Sequence, residues 1–396
     1  MGRAGRVHRW IMLLGALVAA AELAACTSGA GSSVPKSTEQ QVSPAAAATP
    51  AKITQTPGAD TKNVSPADPV RVTVKDGAIT DIHLRNAQGR EVAGATAADR
   101  HSWTATESLG YTKEYTWSGT VLGSDGKQVP LTGTFSTLTP ATQISAQLNI
   151  GDDDTVGVAM PIVLIFDSPV RDKASVEKAL SVQTSTPTGG SWAWMDDNTI
   201  HYRPMNYWVP GTKVSVVAKL YGTPFGDGAY GADDLTLSFT VGRMLVLRGN
   251  TQTHRLQMIR DGQVVADYPA SYGLDSDPGR VTHSGIHVVM SKSAMFSMSN
   301  PAYHYDNVVV PWAVRISNNG EFVHGLQDSI WAQGSQNVSH GCVNLAPDNA
   351  HIVFDQVIPG DPVEISGSTQ QLGPADGDFY DWTVPWEQWR AKSALH

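Results

Sequence analysis

At 396 residues the chain is long enough for two or three domains, each with its own core. A hydrophobic share of 41% with 16% charged residues fits a soluble globular protein and excludes a disordered or multi-spanning one. The net charge of −9 leaves no basic excess to neutralise phosphates, which argues against a nucleic-acid partner.

Arg3, Arg6, His8 and Arg9 precede an apolar run from Trp10 to Ala21, a charged leader and a hydrophobic stretch too short for a membrane span. Leu23-Ala24-Ala25-Cys26 then resembles a bacterial lipobox. That resemblance implies acylation of Cys26, signal cleavage before it, and an extracytoplasmic body anchored to the membrane and facing the cell wall. Residues 27–67 are rich in Ser, Thr, Pro, Ala and Gln, bury too little apolar surface to offset chain entropy, and read as a flexible tether.

Residues 68–140 read as all-β. Val70, Val72 and Val74 alternate with polar residues, and Tyr115, Trp117 and Val121 share one face of a later strand. Turn signals at Asp76-Gly77, Gln88-Gly89 and Asp125-Gly126 space these runs as in a small immunoglobulin-like sandwich. Residues 141–243 read as a second such unit. It has a buried strand at Pro161–Asp167, a short helix from Asp172 to Leu180, and later strands near 191–195, 199–202, 213–221 and 235–241. Asp152-Asp153-Asp154 lacks the ligand spacing of a calcium loop and reads as a solvated turn.

Residues 244–367 form a third, strand-rich unit. Asp261-Gly262 and Asn318-Asn319-Gly320 each sit between two strand-like runs and predict hairpins. Pro347 opens a helix with Ala350, Val353, Phe354 and Val357 on its core face, and Val363-Glu364-Ile365 closes the unit as a strand. In the tail, 368–396, Trp382, Trp386 and Trp389 recur at helical spacing with Pro385 near the helix start, a pattern read as a clamp that docks on an earlier domain.

The chain has two cysteines, and Cys26 belongs to the export signal, so Cys342 has no disulfide partner. A lone thiol in an exported protein flanked by polar groups, in Ser339-His340-Gly341-Cys342-Val343-Asn344, points to a nucleophile. A nucleophilic thiol needs a base, and His324, His340 and His351 are near in sequence. His351 falls on the outer side of the predicted helix. His340 shares a face with Cys342 in an extended segment and touches the thiol or buttresses the loop. His324 ends a hairpin strand, a rigid platform, and is favoured as base. Gly341 permits close approach of the chain, and the N–H groups of Gly341 and Cys342 are candidates for an oxyanion hole. Ser339 and Asn344 read as hydrogen-bonding braces, with Asn344 also a candidate contact to substrate. Residues 326–338, around Trp331, read as a lid. A zinc site at His324, His340 and Cys342 lacks both a fourth ligand and a zinc-binding spacing, so neither metal nor organic cofactor is expected.

His324, its spacing to Ser339, and the run Ser339-His340-Gly341-Cys342-Val343-Asn344 resemble the active-site motif of the L,D-transpeptidases, with a YkuD-like catalytic domain. Two immunoglobulin-like units, a lipobox tether and the Trp-rich tail extend the resemblance to actinobacterial members, over nearly all the chain after the tether. The resemblance implies a mainly β fold and peptidoglycan stem peptides as partners. Cys342 would attack the bond between diaminopimelate and D-Ala of a tetrapeptide stem, release D-Ala, and pass the acyl group to a second stem's amine as a 3→3 cross-link. It implies His324 as base and acid, oriented by the Gly325 carbonyl, Tyr305 and Met290 at the pocket, and acylation of Cys342 by carbapenem β-lactams. Two readings compete: an L,D-carboxypeptidase that releases the same thioester with water, and a non-catalytic wall-binding lipoprotein.

Overall fold

The structure is a computed structural model that describes residues 48–377 and 379–395. The leader, Cys26 and the first part of the tether lie outside the described residues.

Two sheets form the first unit, one of four strands (Lys52–Thr56, Arg71–Lys75, Ser102–Ala105, Gly94–Thr96) and one of three (Gly77–Asn86, Glu114–Gly123, Gln128–Ser136). Val72, Leu84, Val121 and Phe135 fill the space between them, and Trp103 meets Trp117 edge-on at 5.5 Å. The alternation of Val70, Val72 and Val74 therefore does bury one face. One expectation fails here. Lys52–Thr56, inside the stretch read as tether, is an edge strand paired antiparallel with Arg71–Lys75. Its composition is polar because an edge strand with one inward apolar side chain, Ile53, needs backbone hydrogen bonds more than burial.

The second unit packs the sheet of Thr155–Val156, Leu235–Val241, Lys213–Ala218 and Leu180–Thr184 against that of Gly190–Trp194, Thr199–Pro204, Ile162–Phe166 and Ala146–Leu148. The short helix spans Lys173–Lys178, and Asp172 caps it by accepting from the Ser175 N–H. Asp152 and Asp154 accept backbone N–H groups of Ser238 and Gly151, so these two carboxylates hold turns. The first two units are pinned by tyrosines. The Tyr111 hydroxyl donates to the Gly231 carbonyl at 2.7 Å and accepts from the Gly222 N–H at 2.8 Å, while Tyr221 donates to the Leu109 carbonyl.

The third unit has a five-stranded sheet (Gln263–Pro269, Arg255–Arg260, Leu245–Asn250, Pro362–Ser366, Gly285–Val288) and a four-stranded one (Ser291–Asn300, Tyr305–Arg315, Phe322–Gly325, Val343–Leu345). Asp261 and Gly262 both have positive φ, as a two-residue hairpin turn requires. The helix Pro347–Gln356 buries Ala350 and Val353 against this core. The hairpin of Ser291–Asn300 and Tyr305–Arg315, which pattern reading had not singled out, bears exposed Met295, Val308 and Val309.

The tail docks on the second unit. Trp382 and Trp389 donate their indole N–H to the carbonyls of Ala159 and Ser191, and Asp381 meets His201 at 2.8 Å with both side chains fully buried. The Arg203 guanidinium lies 4.7, 5.4 and 4.7 Å from the rings of Trp382, Trp386 and Trp389. The three tryptophans do not share one helix side. Trp386 and Trp389 belong to the helix Trp386–Arg390, and Trp382 to a separate turn, because Pro385 interrupts the backbone ladder between them. The second and third units also meet through Arg243 and Asp361, an ion pair at 2.8 Å.

Candidate active site

Residues Phe322–Gly325 and Val343–Leu345 are neighbouring parallel strands, with His324 opposite Asn344. This register puts His324 and Cys342, eighteen residues apart in the chain, on one wall. Both line a cavity of about 350 Å³, together with Tyr305, Trp331, Ser339, His340 and Asn344. Trp331 is 66% exposed at its mouth.

His324 is 3% exposed. Its Nδ1 lies 3.0 Å from the Gly325 carbonyl. In the neutral ring that contact makes Nδ1 the protonated nitrogen and leaves Nε2 with its lone pair. Burial pushes the imidazole pKa down to about 4, and the Gly325 carbonyl opposes this only in part. Gly325 has a steric reason to lack a side chain: a Cβ there would lie 3.1 Å from Pro311 Cγ and from Pro347 Cα.

Burial also pushes the Cys342 thiol up to about 12; the Phe322 N–H and Arg315 act against the shift, and the Glu321 carboxylate adds to it. Sγ lies 3.7 Å from the Gly320 carbonyl, to which the thiol donates. At neutral pH the pair is therefore a thiol and a neutral imidazole, not a thiolate and an imidazolium.

The turn before Cys342 is braced from several sides. Ser339 Oγ donates to the Cys342 carbonyl at 2.6 Å and accepts the Gly341 N–H at 3.2 Å. The Gly341 N–H is thus engaged, which removes it from the expected oxyanion pair in this conformation. Gly341 has φ +111° and its nearest neighbour to a Cβ position is 3.6 Å away, so backbone conformation, rather than crowding, demands glycine. Arg280 donates to the Val338 and Ser339 carbonyls, and Thr282 Oγ1 to the Gly341 carbonyl at 2.7 Å. Neither residue was flagged by sequence. They stand about sixty positions upstream, where no spacing rule connects them to the motif.

His340 does not bond to the thiol. Its ring sits between those of Tyr303 and Tyr305, at 5.0 and 5.3 Å, and burial followed by the Arg280 charge lowers its pKa. Asn344 is 2% exposed, and its Oδ1 has no hydrogen-bond partner. Met290 is not part of the cavity wall. Its N–H pairs with the Arg315 carbonyl just before the long hairpin begins, and Met298, inside the strand Ser291–Asn300, takes the wall position. His351 is on the outer helix side as expected, and stacks on Trp312 with ring centres 3.8 Å apart. Beneath the Gly320 turn, Glu321 accepts the His283 N–H and meets His283 Nδ1 at 2.9 Å, a contact that raises the His283 pKa. Asn319 donates to Asp376 of the tail segment at 2.7 Å.

The comparisons with known proteins agree with this architecture. A bacterial Ig domain model matches residues 61–224, across both sandwiches, and an L,D-transpeptidase catalytic domain model (YkuD) matches residues 246–365. L,D-transpeptidase 5 of Mycobacterium tuberculosis is 47% identical over 348 residues, 87% of this chain and 77% of that protein. The chain belongs to the L,D-transpeptidase family. L,D-transpeptidase 2 of the same species is 34% identical across 98% of this chain and 96% of its own. Among solved structures, an L,D-transpeptidase in complex with imipenem is 33% identical, with a TM-score of 0.49 over 57% of this chain and 100% of that one. The L,D-transpeptidase match begins at Val246 and ends at Ile365, so it contains the whole cavity described above.

Proposed function

We propose that this L,D-transpeptidase uses Cys342 as nucleophile to form 3→3 diaminopimelate cross-links in peptidoglycan. The observation that carries the proposal is the shared cavity of Cys342 and His324, with the His324 tautomer set by the Gly325 carbonyl. A neutral thiol attacks as it loses its proton, so His324 Nε2 accepts that proton while Sγ forms a bond to the carbonyl carbon of the third stem residue. The imidazolium then protonates the departing D-Ala amine, and a thioester remains on Cys342. The free amine of a second stem attacks the thioester carbonyl, the C–S bond breaks, and the proton given up by the amine returns to sulfur by way of His324. Water in place of the amine gives L,D-carboxypeptidase action with the same residues. The exposed apolar side chains of Val308 and Trp331, which line the cavity, favour the transferase reading, because an occupied apolar mouth excludes water from the thioester.

Carbapenems present a strained acyl group to the same thiol and are proposed to acylate it. Acylation of Cys26 holds the protein at the outer face of the membrane, and the two sandwiches act as a spacer toward the wall. Full-length protein incubated with a disaccharide-tetrapeptide, or with a carbapenem, and followed by intact mass spectrometry tests the chemistry. An adduct lost in Cys342→Ala and strongly slowed in His324→Ala is expected, with a dimer lacking one D-Ala. Tripeptide without dimer would establish the hydrolase, and no adduct would leave the wall-binding scaffold. Retention of a Cys26→Ala protein in the membrane fraction would refute the anchor.

A further inference from the structure

The peptide groups on either side of Glu321 both face the Cys342 sulfur. The Gly320 carbonyl, just before it, accepts from the thiol at 3.7 Å, and the Phe322 N–H, just after it, favours the thiolate. Gly320 closes the Asn318-Asn319-Gly320 turn with φ +102°, and a Cβ there would meet no atom within 4 Å. The turn is thus not wedged by packing around Gly320, and its place depends on the hydrogen bonds of its neighbours.

Glu321 supplies those bonds. It is 3% exposed, and its Oε1 accepts the His283 N–H at 2.8 Å and meets His283 Nδ1 at 2.9 Å. Its Oε2 faces Nδ1 of the fully buried His287 at 3.5 Å, and its own N–H donates to Ser317 Oγ at 3.2 Å. His283 is held in turn from the tail side, with Nε2 3.6 Å from Asp376. His287 Nε2 donates to the His283 carbonyl at 2.9 Å, which leaves Nδ1 of a neutral ring as an acceptor. Neither that Nδ1 nor Glu321 Oε2 has another hydrogen-bond partner among the described residues, so a proton between them turns the facing pair into a bond. The charge of Glu321 opposes the Cys342 thiolate, and burying a carboxylate is costly. The site therefore gains from the hydrogen bonds of Glu321 and not from its charge.

We propose that Glu321 is a positioning residue for Cys342: locked between His283 and His287, its carboxyl fixes the two peptide groups that set the place of Sγ. The inference rests on Cys342 being the nucleophile, as proposed above. Glu321 is not among the residues that line the cavity, so its loss acts on the bond-forming step and not on binding. A reacting atom displaced by about 1 Å costs on the order of 100-fold in rate.

The test follows acylation of the full-length protein by intact mass over a range of carbapenem concentrations, with thermal melting to verify folding of each variant. Glu321→Leu keeps the bulk and removes every side-chain hydrogen bond. It is expected to lower the saturating rate on the order of 10- to 100-fold at an unchanged half-saturating concentration. Glu321→Gln is expected to recover most of that loss, since its Oε1 accepts from His283 and its Nε2–H donates to His287 Nδ1 without a charge. Should Glu321→Leu fail to fold, Glu321→Asp carries the test. Its shorter side chain cannot reach both histidines, and a saturating rate equal to that of the wild type would overturn the proposal. A folded Glu321→Leu protein with the wild-type rate, a change confined to the half-saturating concentration, or a Glu321→Gln protein as slow as Glu321→Leu would each overturn it too. Absence of any Cys342 adduct in the wild type would overturn the nucleophile reading and this inference together, whereas an adduct formed equally fast by every variant would overturn the role of Glu321 alone.

Discussion

Raising the pH on a Cys26→Ala chain, in which Cys342 is the only thiol, measures how strongly burial opposes the thiolate. The thiol rises from an ordinary 9.0 to about 12, which lowers the thiolate population at pH 7 by about a thousandfold relative to an unfolded chain. His324 moves the other way, to about 4. Moving the proton from Cys342 to His324 in the free enzyme spans about eight pH units, or about 11 kcal/mol as an upper bound. Burial therefore disfavours a resting thiolate–imidazolium pair, and proton transfer is expected to accompany bond formation to substrate. Iodoacetamide alkylation of the native protein, followed by intact mass, should rise tenfold per pH unit from 7 to beyond 10 without levelling. The same protein in urea should level off near pH 9. Carbapenem acylation should stay flat from about pH 5 to 9, because neither partner titrates there. A plateau of native alkylation at or below pH 9, or an acylation limb near pH 6.5, would refute the reasoning. The slope is the decisive readout, since poor access to a buried sulfur lowers the rate equally at every pH.

The same histidine makes stability depend on pH. Its folded pKa lies below the unfolded 6.5, so the unfolded chain binds more protons in between, and stability is full above about 6.5 and falls as the pH drops to about 4. That loss is at most about 3 kcal/mol, and urea titrations of wild type against His324→Gln should show it only in the wild type. Gly325→Val should push on Pro311 and Pro347, cost about 1–3 kcal/mol, and slow carbapenem acylation at least tenfold by shifting the carbonyl that orients His324. An unchanged rate would show that the carbonyl's position is not needed. Trp389→Ala should cost about 3–5 kcal/mol, because it empties a fully buried site against the second sandwich and leaves the Ser191 carbonyl unpaired. A denaturation midpoint like that of the wild type would contradict the role of the tail as a docking clamp.

Local pattern carried much of what was read from the chain. The alternation of Val70, Val72 and Val74, the Asp261-Gly262 turn and the face of the Pro347 helix each depend on neighbours within a few positions, and each has the structure that its pattern implies. The motif around Cys342 was legible for the same reason. The Lys52–Thr56 strand was not, because its pairing partner begins fifteen residues after it ends and its own composition is polar. Met290 was placed at the pocket by family resemblance and belongs instead to the base of a hairpin whose far end, at Met298, reaches the cavity.

By itself the sequence determined a mainly β chain, a cysteine in a polar motif, a histidine at the end of a hairpin strand, and membership of one enzyme family. Only the tertiary structure decided the charge states of that pair, since both follow from burial by residues distant in the chain. It also decided that Arg280 and Thr282 brace the catalytic turn and that three tryptophans from two local elements converge on Arg203. Spacing along a chain predicts which residues share a strand or helix face. Which faces meet is set by packing, and that is where the electrostatics of the site are made.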